Sequence, residues 1–466
     1  MKKNSYKIIL LLVMAVLLQS CFSAKTYHRE ELATENLFRA TQVSTDSSSI
    51  ADLPLSQLFT DPILQKHIDR AIQQNLDLQI ALQNIAAAEA TMRQGRVGYL
   101  PSLSLSADHT HQQLSRNSQF GALLQDRSTD QFQFAGNLSW EADVWGKIRS
   151  NKRATEADYL ESVFSKHAIQ TRIVADVASS YFQLLALDAQ LRVADSTLAN
   201  RRSSIETIQA LKDAGSANEV GVKQTEAQLY ATQLIIEDIK ANIVFVENAI
   251  SILLGESPRS IERGKLEDQT IAADIEIGLP ATLLSRRPDV IAAEYALISN
   301  FEYTNVARSN FYPSLRITAT GGFQSIDIQN WFDANSLFAN VLSGITQPIF
   351  NRREIKTRYE IAQANQRRSL IQFQQSLLNA GREVSDALQD YQNETAKMEI
   401  RTRQLESLKQ AATFSDELLN YGLANYLEVL TAKDQALNSE LNLIDNKYRQ
   451  FNAVVLLYRA LGGGWQ

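Results

Sequence analysis

The hydrophobic spacing of this chain switches period several times, and the switches mark its elements. From Pro62 to Arg96 apolar residues return at helical intervals, with Ile68, Ile72, Leu76, Ile80 and Ala87 near one face. Pro101 ends that segment. Leu103, Leu105 and Ala107 then alternate with Ser102, Ser104, Ser106 and Asp108, which predicts a strand with one apolar and one polar face. A polar loop around Ser115 to Asp130 follows. Phe132, Phe134, Leu138, Trp140 and Val144 alternate with Gln133, Asn137, Ser139 and Glu141 as a second strand, ending at Trp145-Gly146. From Lys147 to Ala214 there is neither Gly nor Pro, so the chain predicts a single helix about 100 Å long. Gly215 turns it, and a helix from about Ala217 to Leu254 returns.

The plan then repeats. Pro280 to Arg308 reads as helix. Leu315, Ile317, Ala319 and Phe323 mark a third strand, and Leu337, Ala339, Val341, Ile345 and Ile349 a fourth. Asn351 to Tyr421 predicts a second helix of about 100 Å, with Gly422 turning it and Asn425 to Leu461 returning. Pro101-Ser102-Leu103 is echoed by Pro313-Ser314-Leu315, Gly215 by Gly422, and Leu254-Gly255 by Leu461-Gly462. The chain is two tandem copies of one unit. Its divisions are residues 1–20 as a signal peptide, 21–61 as an N-terminal segment, 62–256 as repeat 1, 257–279 as a connector and 280–466 as repeat 2.

The N-terminus points to export. Lys2 and Lys3 precede an apolar run from Ile8 to Leu18, of signal-peptide length and too short to span a membrane. Leu18-Gln19-Ser20-Cys21 resembles a lipobox, with Gln19 departing from the usual small or hydroxylic residue. Cys21 is the single cysteine of the chain, so it is the candidate lipid attachment site, and an internal disulfide is excluded. No acid follows it, which by analogy with bacterial lipoproteins favours the outer membrane. The net charge of −6 argues against nucleic acid as a partner. Beyond the signal no apolar run is long enough for a membrane helix, so a bilayer would be crossed by strands in a closed barrel. Four strands cannot close one, whereas three copies would supply 12. A soluble β-rich cap on a coiled-coil stalk also fits half-apolar strands; the paired strands together with the lipoprotein signal favour the barrel.

Specific segments carry a resemblance. Tyr99-Leu100-Pro101-Ser102-Leu103, the run Trp140-Glu141-Ala142-Asp143-Val144-Trp145-Gly146, the run Leu283-Leu284-Ser285-Arg286-Arg287-Pro288-Asp289, Gln347-Pro348-Ile349-Phe350 and Tyr426-Leu427-Glu428-Val429 are similar to the TolC-like outer-membrane efflux proteins. The nearest likeness is to the lipid-anchored OprM-like branch that serves resistance-nodulation-division pumps. The resemblance covers almost everything after Cys21. It implies a mostly α fold with membrane β, in which three chains form a 12-strand barrel and a periplasmic α-helical tunnel. It also implies an inner-membrane pump, a periplasmic adaptor protein and outer-membrane lipid as partners.

By that resemblance the tunnel narrows at the helix turns, and Glu428 lines the constriction. Glu219 is taken as its counterpart in repeat 1, and Tyr421 and Asp213 as further gate candidates. Like charges crowded in a narrow pore repel one another and attract cations. Relatives often carry an Asp three residues later, where this chain has Thr431. The competing reading of Glu428 is a solvated carboxylate favoured by the helix dipole. Arg286, Arg287 and Asp289 read as a structural helix start. The five histidines form no ligand-spaced cluster, no nucleophile–base set stands out, and neither metal, cofactor nor enzymatic activity is expected. The alternative function is a periplasmic coiled-coil adaptor lipoprotein. An adaptor would carry one helical hairpin between two β modules, which this two-copy layout disfavours.

Overall fold

The computed structural model describes residues 24–29, 50–120, 122–123, 125–271 and 286–465. The signal peptide, Cys21, and residues 272–285 of the connector and of the start of repeat 2 lie outside the described residues. In order, the main elements are α1 (Pro62–Gln74), α2 (Leu76–Arg96), β1 (Ser102–Gln113), β2 (Ser128–Ala142), α3 (Lys147–Asp213), α4 (Glu219–Leu253), α5 (Pro288–Ser309), β3 (Ser314–Ser325), β4 (Leu337–Thr346), α6 (Glu354–Asn420) and α7 (Tyr426–Ala460). The long helices α3 and α6 are each 67 residues, and their return helices each 35. Among the described residues no helix is long and apolar enough to cross a membrane.

Two expectations need correction. The segment expected as one helix over Pro62 to Arg96 is two, because Asn75 interrupts it with extended backbone (ψ 132°). Its side chain then caps the next helix, accepting from the amides of Asp77 at 2.9 Å and Leu78 at 3.2 Å. The fourth strand ends at Thr346, so Ile349 lies beyond it.

The chain forms two compact units, and these cut across the sequence repeats. One contains residues 85–162 and 293–373 with the N-terminal strand of chain at 24–29. Its centre is an antiparallel sheet in the order β1-β2-β3-β4. The β2–β3 pairing joins the two repeats, placing Leu138 opposite Ala319 and Trp140 opposite Ile317. Both edge strands, β1 and β4, are exposed along nearly their whole length. Residues 24–29 are fastened to α5. Asn305 accepts from the Lys25 amide at 3.1 Å and donates to the Lys25 carbonyl at 2.9 Å.

The other unit is a helical core built from residues 50–84, 163–271, 286–292 and 374–465. Phe182 stacks on Phe451 with ring centroids 4.8 Å apart and leans on Phe59 at 4.9 Å. Burying each such ring contributes about 1.5–3 kcal/mol. Tyr181 is fully buried beside them. Its hydroxyl donates to Asp61 at 2.6 Å and accepts the Gly264 amide at 3.0 Å, which ties the connector to the N-cap of α1. Desolvation, reinforced by that bond to Asp61, raises the Tyr181 hydroxyl well above the ordinary phenol range.

Duplication is visible at one contact in this unit. Gly255 and Gly462 stand 207 positions apart, each with positive φ (71° and 89°) just past a return helix. A Cβ on Gly255 would meet the Gln74 carbonyl at 2.4 Å, and one on Gly462 the Arg286 carbonyl at 2.6 Å. Both glycines therefore press on the residue two positions before the first residue of a helix, and only glycine fits.

Candidate functional site

Strand alternation sorts the sheet into two faces. Leu103, Leu105 and Ala107 on β1 share a face with their register partners Leu138, Gly136 and Phe134 on β2, and with Phe132, which stands opposite His109. The same face continues through Ile317, Ala319 and Phe323 on β3 to Val341 and Leu337 on β4. At the loop end it finishes in aromatic rings: Phe132 and Trp331 at 5.5 Å, Trp331 stacked on Phe332 at 5.0 Å, and Phe323 on Phe332 at 5.6 Å. An apolar band closed by aromatic residues is what a lipid-facing barrel wall requires. Just beyond the rings, His109 Nε2 and His111 Nδ1 each lie 2.9 Å from one oxygen of Asp130. Among the described residues no group of three or more His, Cys, Asp or Glu side chains is arranged to hold a metal ion.

The opposite face carries hydroxyls and amides. Thr320 donates to Asn137 at 3.0 Å, and Asn137 donates to Ser106 at 3.4 Å, so a polar row crosses three strands. At the helix end of this face Glu141 is held by Arg316 at 3.2 Å and by Lys147 at 2.8 Å.

The helix turns share one local design. Gly215 and Gly422 have φ of 78° and 71° and close Schellman-type turns, their amides bonding Lys212 and Leu419 carbonyls. Three residues later an asparagine caps the next helix. Asn218 accepts from the Gly221 amide and Asn425 from the Glu428 amide, both at 3.1 Å. These bonds set the equivalence between the copies. Glu428 corresponds to Gly221, and Glu219 to Tyr426, so Glu219 is not the counterpart that the sequence reading took it to be.

The two acids also have different surroundings. Glu219 pairs with Lys212 at 2.6 Å and lies 3.8 Å from Lys223. The Lys212 ammonium holds its carboxyl below the usual range. In the second copy those two lysine positions are Leu419 and Leu430. Glu428 is exposed, accepts a bond from Asn425 Nδ2 at 2.9 Å, and has no ion pair among the described residues. Asp213 accepts from Gln209 at 3.2 Å, and Tyr421 is 80% exposed.

One tie in the helical unit carried no sequence signal. Arg201 of α3 is buried, donates to Gln228 Oε1 of α4 at 2.8 Å, and forms an ion pair with Asp434 of α7. Arg287 was legible as structural. Its fork grips Asp289 at 2.7 Å and 3.0 Å, while Nη1 reaches Glu383 at 2.8 Å.

The model of one protein family, described as outer membrane efflux protein, matches residues 67–256 and 279–463. The chain belongs to the outer membrane efflux protein family. The cation efflux system protein CusC of Escherichia coli O6:H1 is 29% identical over 463 residues, covering 97% of each chain. The solvent efflux pump outer membrane protein SrpC of Pseudomonas putida is 28% identical over 423 residues, covering 90% of each. Among solved structures, the outer-membrane channel OprN superposes with a TM-score of 0.87 at 24% identity, covering 95% of this chain and 99% of its own. A CusC crystal structure does so with 0.84 at 26% identity, again covering 95% and 99%. This outer membrane efflux protein is therefore an outer-membrane channel, and the adaptor alternative falls away. The two matched stretches are separated by residues 257–278.

Proposed function

We propose that three copies of this chain close a 12-stranded barrel and conduct cargo outward from an inner-membrane resistance-nodulation-division pump, handed on by a periplasmic adaptor. The observation that carries this reading is the sheet. It has one continuous apolar face and two exposed edges, β1 and β4, whose outer sides pair with no other strand among the described residues. An open edge in lipid costs several kcal/mol per unpaired group, so the edges of neighbouring copies are the natural partners. Cys21, upstream of the strand of chain held by Asn305, is the lipid attachment site in this reading.

At the helix turns, Glu428 is the gate acid and Glu219 is not. The Lys212 and Lys223 ammoniums spend the charge of Glu219 locally, whereas Glu428 keeps its own. Tyr421 and Asp213 are neighbours of the gate in this reading. The test is membrane extraction followed by gel electrophoresis with and without heating. A heat-sensitive oligomer in the outer-membrane fraction is expected; a soluble monomer would sink the proposal. For the gate, Glu428→Ala should lower cation conductance in planar bilayers, and unchanged conductance would remove Glu428 from the constriction.

A further inference from the structure

We infer that Asp108 sets the ion preference of the barrel bore near its outer end. The inference rests on the reading that three copies close a barrel. The apolar face of the sheet must then point to lipid, so the polar face points into the bore. Register places only three charged residues of the four strands on that polar face: Asp108, Glu141 and Arg316. Two of them cancel, since Glu141 is bonded to Arg316 and also to Lys147. Asp108 stands opposite Gln133, is exposed, and has no ion pair among the described residues.

Its open side offers no compensation either. β1 is an edge strand, and in a closed ring its neighbour is the β4 edge of the next copy. The polar-face positions of β4 are Phe338, Asn340, Leu342, Gly344 and Thr346, none of them charged. Three Asp108 carboxylates therefore face the bore with no uncompensated charge beside them on the four strands. Asp108 lies between the levels of Phe132 and Phe134, so the charge sits near the aromatic loop end, at the far end of the sheet from the Glu141 pair. The effect is a field and not ligation: the potential of an uncompensated charge in a narrow, low-dielectric passage enriches cations and depletes anions. The bland alternative is a solvated aspartate on a polar face that leaves permeation unmoved.

Reversal potentials in planar bilayers under a KCl gradient separate the two. The purified oligomer is expected to favour K⁺. Asp108→Asn should lower the K⁺/Cl⁻ permeability ratio by about twofold or more, and Asp108→Lys should carry it toward Cl⁻. The difference should be greater at 0.1 M salt, where the screening length is about 10 Å, than at 1 M, where it is about 3 Å. Conducting Asp108→Asn and Asp108→Lys oligomers with the unchanged reversal potential would overturn the inference and leave the barrel standing. A wild-type oligomer that never conducts would overturn the barrel, and this inference with it.

Discussion

Trp145 donates its indole N–H to the carbonyl of Pro313 at 2.6 Å. The donor lies three residues beyond the second strand of repeat 1, and the acceptor belongs to the Pro-Ser-Leu motif of repeat 2. A second indole repeats the arrangement within one copy, Trp140 donating to the Tyr99 carbonyl at 2.8 Å. Each Pro-Ser-Leu motif thus has a tryptophan fixing the backbone where a helix gives way to a strand. Trp145 also stacks on Tyr312 with centroids 4.8 Å apart.

Trp145→Phe keeps a ring for that stack and removes the donor. Losing the bond should cost about 1 kcal/mol per chain. The melting temperature of the unheated oligomer, followed by gel mobility, should fall, and Trp140→Phe should act in the same direction. No change in either would mean that the motif is held by packing alone.

Glycine at the return-helix ends should matter more than glycine at the turns. At Gly215 and Gly422 nothing lies within 4 Å of a Cβ, so alanine there meets only the left-handed penalty of about 1–2 kcal/mol. At Gly255 and Gly462 the same penalty is joined by a backbone clash at 2.4 Å and 2.6 Å. Gly255→Ala and Gly462→Ala should lower folded yield sharply while Gly215→Ala folds. Equal effects in urea denaturation would contradict the contact.

Arg201→Met should be costly because Arg201 is buried and Asp434 would lose its partner. Breaking a buried pair by removing one member typically costs about 3–5 kcal/mol, and the partial exposure of Asp434 puts this case at the lower end. Adding Asp434→Leu should recover part of the loss in urea denaturation, and an additive double variant would show that the pair is not coupled.

Glu219 gives a pH dependence with a definite sign. Lys212 lowers its carboxyl relative to the unfolded chain, so the stabilisation is present above the ordinary carboxylate range and is lost as pH falls through the lowered value. Protection from hydrogen exchange at the Gly215 turn, taken relative to the intrinsic rate at each pH, should fall in acid, and Lys212→Ala should move the onset to higher pH. An onset that does not move would separate Glu219 from Lys212.

Much of this was legible in the sequence. Helix and strand spacing placed α3, α4, α6 and α7 within a few residues, because glycine and proline are absent from long stretches and present at the ends. Period-2 alternation separated the two sheet faces before any register was known. Asn75 was missed because a polar residue inside a helical pattern looks like a solvated position. The alignment of Glu219 with Glu428 failed because both follow an asparagine, though they stand one and three residues beyond it, and the capping bonds give that spacing its structural meaning. Arg201 and Asp434 lie 233 positions apart, and nothing local marks them as partners. The lack of compensation at Asp108 likewise needs four strands in register, which no single segment displays.

The most direct test of the channel account is the mass of the intact complex released from outer membranes in mild detergent, measured by native mass spectrometry. The account predicts three chains, with acyl groups carried by Cys21. A membrane-extracted species containing one chain, stable and folded by itself, would contradict it.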